Sequence, residues 1–274
     1  MTERLKKQIE EADVIVIGAG AGLSTAAGFE YGGDYFLEYF PDMHEKYGYT
    51  DMYSAGFHDF LTSEEKWGYW ARFIYLQRYK EGAKPLYRKL FDFVKDKNYF
   101  VITTNVDHQF QLSGFEKSRL FYTQGDYGLF QCSKPCHKKT YDNEAMIKDM
   151  LVNLQEGQIP TRLIPKCPVC GREMTTNLRS DDRFVEDDGW HEAATRYADF
   201  LEKNKEKKIL FLELGVGFNT PSIIKYPFIR MTYQYPNAYY ACINKGENYV
   251  PKEIDDKSTV IDDDIARVLA YLEK

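Results

Sequence analysis

Cys132, Cys136, Cys167 and Cys170 form a Cys-x3-Cys and a Cys-x2-Cys pair separated by thirty residues. Four thiolates at such spacing supply a complete tetrahedral shell for zinc. A closed shell leaves no open coordination position, so the expected metal is structural rather than catalytic. His137, next to Cys136, is expected to be a bystander. A second group is the turn Gly18-Ala-Gly-Ala-Gly22, where backbone N–H groups at the start of a helix favour an anionic phosphate. Glycines also serve close packing, and the turn alone leaves both readings open. Asn105 and Asp107, in Thr103-Thr-Asn-Val-Asp107, either close a turn through side-chain to backbone bonds or present polar groups at a strand end. A dinucleotide-binding dehydrogenase would carry an acid on a second strand about 20 residues beyond its glycines. Here that stretch is aromatic, which counts against hydride transfer.

The elements that must hold these groups are legible as strand and helix patterns. Residues 5–11 read as the end of a helix leading into a buried strand over 13–17, followed by the glycine turn and a helix of small residues. Between 29 and 79 aromatic residues dominate, and Trp67, Trp70, Phe73 and Ile74 share one helix face, so the rings are expected to form the core of a helical insertion. Pro85 opens a helix that runs to Phe93, and strands are expected over 99–103, 120–123, 208–214 and 239–244. A helix over 191–203 and a terminal helix from Asp263 complete the alternation. The expected fold class is α/β: a Rossmann-like parallel sheet with helices on both faces, plus a small zinc-binding domain and a helical insertion. The boundaries read as 1–33, 81–125 and 188–274 for the sheet domain, 34–80 for the insertion and 126–187 for the zinc module.

A chain of 274 residues buries a full core, and a formal charge of −6 excludes a phosphate-backbone binder, which needs concentrated Lys and Arg. No nucleic acid partner is expected. Apolar runs are strand-sized, far below the roughly 20 residues needed to span a bilayer, and the N-terminal residues lack a secretory pattern. The expected location is the cytoplasm, where paired cysteines serve as metal ligands more often than as disulfides. Cys242 is left over, as a small buried apolar residue.

Gly20-Ala-Gly-Leu-Ser-Thr-Ala-Ala-Gly28 resembles the glycine motif of the sirtuins, and Thr103-Thr-Asn-Val-Asp107 resembles their Thr-Gln-Asn-Ile-Asp segment. Leu212-Glu-Leu-Gly-Val-Gly217 sits where they have Gly-Thr-Ser, and the order, spacing and zinc module agree across nearly the whole chain. The resemblance implies NAD as co-substrate, in a cleft between a Rossmann-like domain and a zinc-binding domain. Two departures matter. Sirtuin deacylases have His-Gly where this chain has Gln124-Gly125, and Phe-Arg where it has Gly32-Gly33. Together with Gly215-Val-Gly-Phe-Asn-Thr-Pro221, these resemble the macrodomain-linked, class M, sirtuins of microbes. That branch implies protein ADP-ribosylation of a lipoylated carrier related to the glycine-cleavage H protein, with a macrodomain hydrolase that reverses the modification.

The resemblance assigns Asn105, Asp107 and Gln124 to catalysis. It assigns Gly20, Ala21, Gly22, Ser24, Gly215, Val216, Gly217, Asn219, Asn244 and Asp263 to NAD. Ser24 is also a candidate helix cap, and a cap role is the default for one of Asp262, Asp263 and Asp264. Tyr35 and Phe36 lie in the segment that would cover nicotinamide. Histidine suits deacylation because its pKa near 6.5 lets it take a ribose hydroxyl proton. A glutamine amide only donates and accepts hydrogen bonds, so an acceptor that is already ionised is expected. The rival readings are a sirtuin-type deacylase, an NAD glycohydrolase and a non-catalytic NAD-binding module.

Overall fold

The buried β-branched run after the first helix is the central strand of the molecule. In the computed structural model, which describes residues 1–272, the strands are β1 (Val14–Ala19), β2 (Asn98–Thr103), β3 (Leu120–Tyr122), β4 (Gly125–Cys132), β5 (Tyr141–Asp142), β6 (Met174–Leu178), β7 (Ile209–Leu214), β8 (Ala238–Ile243) and β9 (Ser258–Ile261). Six of them form one parallel sheet in the order β3-β2-β1-β7-β8-β9. Every residue of β1 and β7 is buried, as expected for strands covered by helices on both faces. Alternate residues feed opposite cores. Ile15, Ile17, Leu210 and Leu212 pack with Leu86, Leu90 and Leu269, whereas Val14, Val16, Ile209 and Phe211 pack with Ala193, Phe228 and Met231.

Register decides where a site can form. Ala19 pairs with Thr103 on one side and Leu214 on the other, Thr103 pairs with Tyr122, and Leu214 pairs with Ile243. The strands therefore end level, and their C-terminal turns emerge along one edge, where ligands gather in open parallel sheets.

The chain divides into two compact units, 1–28 with 83–124 and 188–274, and 29–82 with 125–187. The insertion and the zinc segment, read from sequence as two modules, thus fall in one unit. The reason is packing: Trp67, Ala71 and Ile74 of the helix Ser63–Ile74 share a core with Phe130, Ile147, Met150 and Met174. Most rings of the insertion are core as expected, with Phe36, Phe40, Tyr69 and Phe73 in a second cluster. Phe36 is fully buried and stacks on Phe40 at 5.2 Å, so it is not available to cover a ligand.

Strands β4, β5, β6 and β9 and the helix Lys225–Gln234 were not anticipated. In the antiparallel sheet β5-β4-β6, β4 carries two glycines and a cysteine that mask its alternation and β5 has only two residues, β9 has only four residues, and Pro227 reads as a helix breaker although it is tolerated in a first turn. Among the described residues no helix is long and apolar enough to cross a membrane.

Glycines at the sheet edge are in mutual contact. A Cβ on Gly20 would stand 2.6 Å from Gly215 O, and one on Gly22 2.8 Å from Gly215 Cα. Gly215 itself has φ +65°, and its added Cβ would lie 2.5 Å from the Leu23 amide nitrogen. Gly215→Ala must therefore accept both a left-handed backbone and overpacking against main chain, a loss of about 2–5 kcal/mol. Urea unfolding checks this, and an unchanged midpoint would show that the turns separate freely.

Candidate active site

Three turns at the C-terminal edge of the sheet assemble the polar groups of the first unit. After β1, the Gly20 amide donates to Leu214 O at 3.0 Å, Gly22 to Gly215 O at 2.9 Å and Leu23 to Gly20 O at 3.0 Å. The turn's amides are thus largely used in holding the turn itself. What its glycines contribute is close approach of backbone more than a row of free donors, which revises the phosphate-cradle reading. Ala21 opens the short helix Ala21–Ala26, with Gly20 as its N-cap.

Ser24 is not a cap. It lies inside that helix, 3% exposed, and donates its hydroxyl to Asp107 Oδ2 at 2.6 Å. Asp107, also 3% exposed, accepts from the Gln109 amide at 3.0 Å through Oδ1 and from the Tyr87 hydroxyl at 3.4 Å through Oδ2. Asn105 is held as firmly. Its amide nitrogen Nδ2 donates to Gly20 O at 2.9 Å and to Tyr87 Oη at 3.2 Å, and its backbone N–H donates to Thr103 Oγ1 at 3.0 Å. With Nδ2 committed, Oδ1 is the acceptor that Asn105 has to offer a ligand. The turn-closing reading of this segment is what these bonds show.

Gln124 follows β3 in a turn fixed by neighbours. The Thr123 amide donates to Thr103 O at 2.9 Å, and Trp190 Nε1 donates to Thr123 O at 3.1 Å. Gln124 is half-buried and offers an amide that neither gains nor loses a proton.

At the β7 and β8 ends, Asn244 Nδ2 donates to Val216 O at 3.3 Å and to Glu247 O at 3.1 Å. The Phe218 amide donates to Glu247 Oε2 at 2.8 Å. Gly215 and Val216 are buried, while Gly217 is half-buried and Asn219 exposed. Asp263 lies beyond β9 and is engaged by the Asp264 amide and the Arg267 guanidinium, which hold its carboxyl below the usual range. The cap of the terminal helix is Asp264, which accepts from the Arg267 amide at 3.1 Å. Cys242 is buried as expected, but its neighbours are polar: Glu213, Lys225 and Asn248.

Sequence reading passed over Tyr87, Trp190, Glu247 and His108. Tyr87 sits in a helix whose apolar stripe hides its hydroxyl, and Trp190 reads as one more aromatic. His108 did carry a signal, since it adjoins Asp107; its φ of +64° makes it one of two non-glycine residues with positive φ among those described, and such strain concentrates at functional sites.

In the second unit the four cysteine sulfurs lie within 4.8 Å of one another. Cys132 and Cys170 are 3.6 Å apart, Cys136 and Cys167 3.7 Å. Zinc–sulfur bonds of about 2.3 Å in a tetrahedron imply sulfur separations of about 3.8 Å, so the residues fit zinc. His137 stands beside the set, with Nδ1 3.0 Å from Cys136 Sγ and Nε2 2.7 Å from Tyr141 Oη, as an orienting neighbour of the kind common around metal ligands.

No protein-family model matches the chain. The chain is 40% identical over 268 residues to a protein ADP-ribosyltransferase of Staphylococcus aureus, covering 97% of this chain and 85% of that protein. It is 30% identical over 284 residues to a protein of Fusarium oxysporum f. sp. cubense named probable bifunctional ADP-ribose hydrolase/ADP-ribosyltransferase, covering 97% of this chain and about half, 47%, of that protein. Among solved structures, a Sir2 homologue mutant in complex with ADP-ribose superposes with a TM-score of 0.62 at 15% identity, over 99% of this chain and 95% of that one. A Sir2 complex with a p53 peptide and NAD gives 0.57 at 17% identity, over 99% and 97%. The fold is that of the sirtuins.

Two outcomes follow from the geometry. Tyr87→Phe removes the hydroxyl shared by Ser24, Asn105 and Asp107 and should cost about 1–3 kcal/mol through unsatisfied buried partners; equal urea midpoints for variant and wild type would show the hydroxyl to be idle. Elemental analysis should find a single zinc per chain, and a strong chelator should lower Tm because metal binding at such sites is folding free energy. Retained Tm after complete zinc removal would contradict a structural role.

Proposed function

The chain is a sirtuin-fold member of the protein ADP-ribosyltransferase family, an enzyme that draws on NAD, and we propose that its acceptor is a lipoylated carrier protein related to the glycine-cleavage H protein. The observation that carries the site assignment is the clamping of Asn105 and Asp107 by Ser24, Tyr87 and Gly20, beside a strand end that offers Gln124 in place of an ionisable base.

In the proposed reaction the bond between the ribose carbon and the nicotinamide nitrogen breaks, its electron pair leaves with neutral nicotinamide, and an oxocarbenium-like centre develops. Such a centre needs orientation and electrostatics more than proton removal. Asn105 Oδ1 accepts from a ribose hydroxyl or an attacking water. Asp107, fixed by the Ser24 and Tyr87 hydroxyls and the Gln109 amide, helps to hold the nicotinamide end, and Gln124 fixes the ribose hydroxyls. A carboxylate or thiolate of the acceptor then forms the new bond without giving up a proton, which is why the absence of histidine at 124 selects transfer over acyl migration. The turns carrying Gly20, Ala21, Gly22, Gly215, Val216, Gly217, Asn219 and Asn244 take the rest of NAD, joined by Glu247. Asp263, paired with Arg267, is the weakest of these assignments. The name of the Fusarium relative couples a hydrolase to a transferase, which supports a macrodomain-type hydrolase acting on the same modification.

Intact-mass spectrometry of lipoylated and unlipoylated carrier after incubation with enzyme and NAD tests the reading. The expected result is a gain of one ADP-ribose on the lipoylated form. Nicotinamide release without a gain on any protein would favour the glycohydrolase, and O-acyl-ADP-ribose from an acyl-lysine peptide the deacylase. In the same assay Gln124→His should raise deacylation at the expense of transfer; unchanged transfer beside robust deacylation would remove Gln124 as the switch.

A further inference from the structure

The loop over residues 215–224 begins directly after β7 and ends where the helix Lys225–Gln234 begins. Its two ends are joined by an ion pair out of reach of solvent. Lys225 Nζ lies 2.5 Å from Glu213 Oε1, and both side chains are 0% exposed. The Tyr240 hydroxyl donates to Glu213 Oε2 at 2.7 Å, and the Cys242 thiol stands 3.4 Å from Oε1. Burial first, and then Glu213, push that thiol up to about 12, so it remains a donor.

Two branches leave the pair. Lys225 Nζ stands 5.3 Å from the centre of the Phe218 ring, within reach of a cation–π attraction. On the other side the Cys242 thiol proton is shared with Asn248 Oδ1 at 3.6 Å, and Asn248 Nδ2 donates to Asn244 O at 2.7 Å. Asn244 returns to Val216 O, and Glu247 to the Phe218 amide. The pair is therefore the common root of the two turns, at the β7 and β8 ends, that carry the proposed contacts to NAD.

Charges are not needed to pack a helix on a strand. Two charged groups withdrawn from water lose their hydration, and a well-packed apolar pair of similar volume commonly holds as well or better. What the charges add is a fixed geometry at the base of a loop that is largely exposed between Phe218 and Thr220. We propose that Glu213 and Lys225 are positioning residues that preorganise the 215–224 loop for the dinucleotide and so set NAD affinity without touching NAD. The inference rests on the reading that this edge binds NAD.

The double variant Glu213→Gln with Lys225→Met removes both charges while keeping an acceptor for Tyr240, so no lone buried charge is left. Calorimetric NAD binding and the kinetics of nicotinamide release are measured on it and on wild type, with Tm recorded for each. The expected result is a wild-type-like Tm, an NAD Kd and KM raised about tenfold by the lower population of the competent loop, and unchanged kcat. A double variant with wild-type Kd and KM, or with a fall in kcat alone, overturns the inference while leaving NAD binding in place. A wild-type protein that binds no NAD overturns the inference together with the function it rests on. If the double variant does not fold, Phe218→Leu decides: the ring is 42% exposed, its loss cuts only the Lys225 branch, and an unchanged KM would overturn the proposal.

Discussion

The constraint on which the site depends is the contact of two backbone turns with no side chain between them. Gly20 and Gly22 after β1 meet Gly215 after β7 at distances that leave no room for a methyl group on any of the three. Central strands in a parallel sheet stand about 4.8 Å apart, and turns with ordinary side chains would splay away from one another as they leave it. Here they stay together, tied by Gly20 N to Leu214 O and Gly22 N to Gly215 O. Two side chains of the edge are referred to this junction: Asn105 is anchored on Gly20 O, and Val216 O receives Asn244.

The junction also explains why polar side chains at the site are so thoroughly bonded. A buried serine, aspartate and asparagine side by side would each carry a desolvation cost of the order of 1–3 kcal/mol if left unpaired. Tyr87 meets that cost for three of them with one hydroxyl. Because that network satisfies Asn105 Nδ2 internally, it leaves Oδ1 as the atom the residue has to offer a ligand. The site's directionality is a consequence of its hydrogen-bond accounting.

Much of this was legible in the sequence, for reasons that differ by residue. The strands β1, β2, β7 and β8 were readable because fully buried parallel strands are continuous apolar runs, and the cysteine pairs because metal geometry constrains spacing. The pairing of the insertion with the zinc segment was not legible, because a helix face such as Trp67, Ala71 and Ile74 announces burial without naming the partner it packs on. Tyr87 was hidden for a related reason: a tyrosine within an apolar stripe looks like core, and only the fold brings Ser24, Asn105 and Asp107 to its hydroxyl. Ser24 and Cys242 show the converse error. The cap reading of Ser24 and the apolar surroundings read for Cys242 were local inferences, whereas long-range contacts join Ser24 to Asp107 and Cys242 to Glu213.

The proposed role of Gln124, an amide where the proposed reaction has no ionisable base, acquires its meaning from this rigidity. In a loosely packed site a missing histidine can be covered by a neighbouring group or a mobile water. Here the turn before Gln124 is pinned to Thr103 and Trp190, and Asp107, the carboxylate of the cluster, already accepts from the Ser24 and Tyr87 hydroxyls and the Gln109 amide. The lone pairs of that carboxylate are largely taken up by these donors. Proton removal must then come from elsewhere or be unnecessary, and an acceptor that arrives ionised makes it unnecessary. On the proposed reading, the same hydrogen bonds that let these residues fold without unpaired groups restrict the reaction the site can carry out.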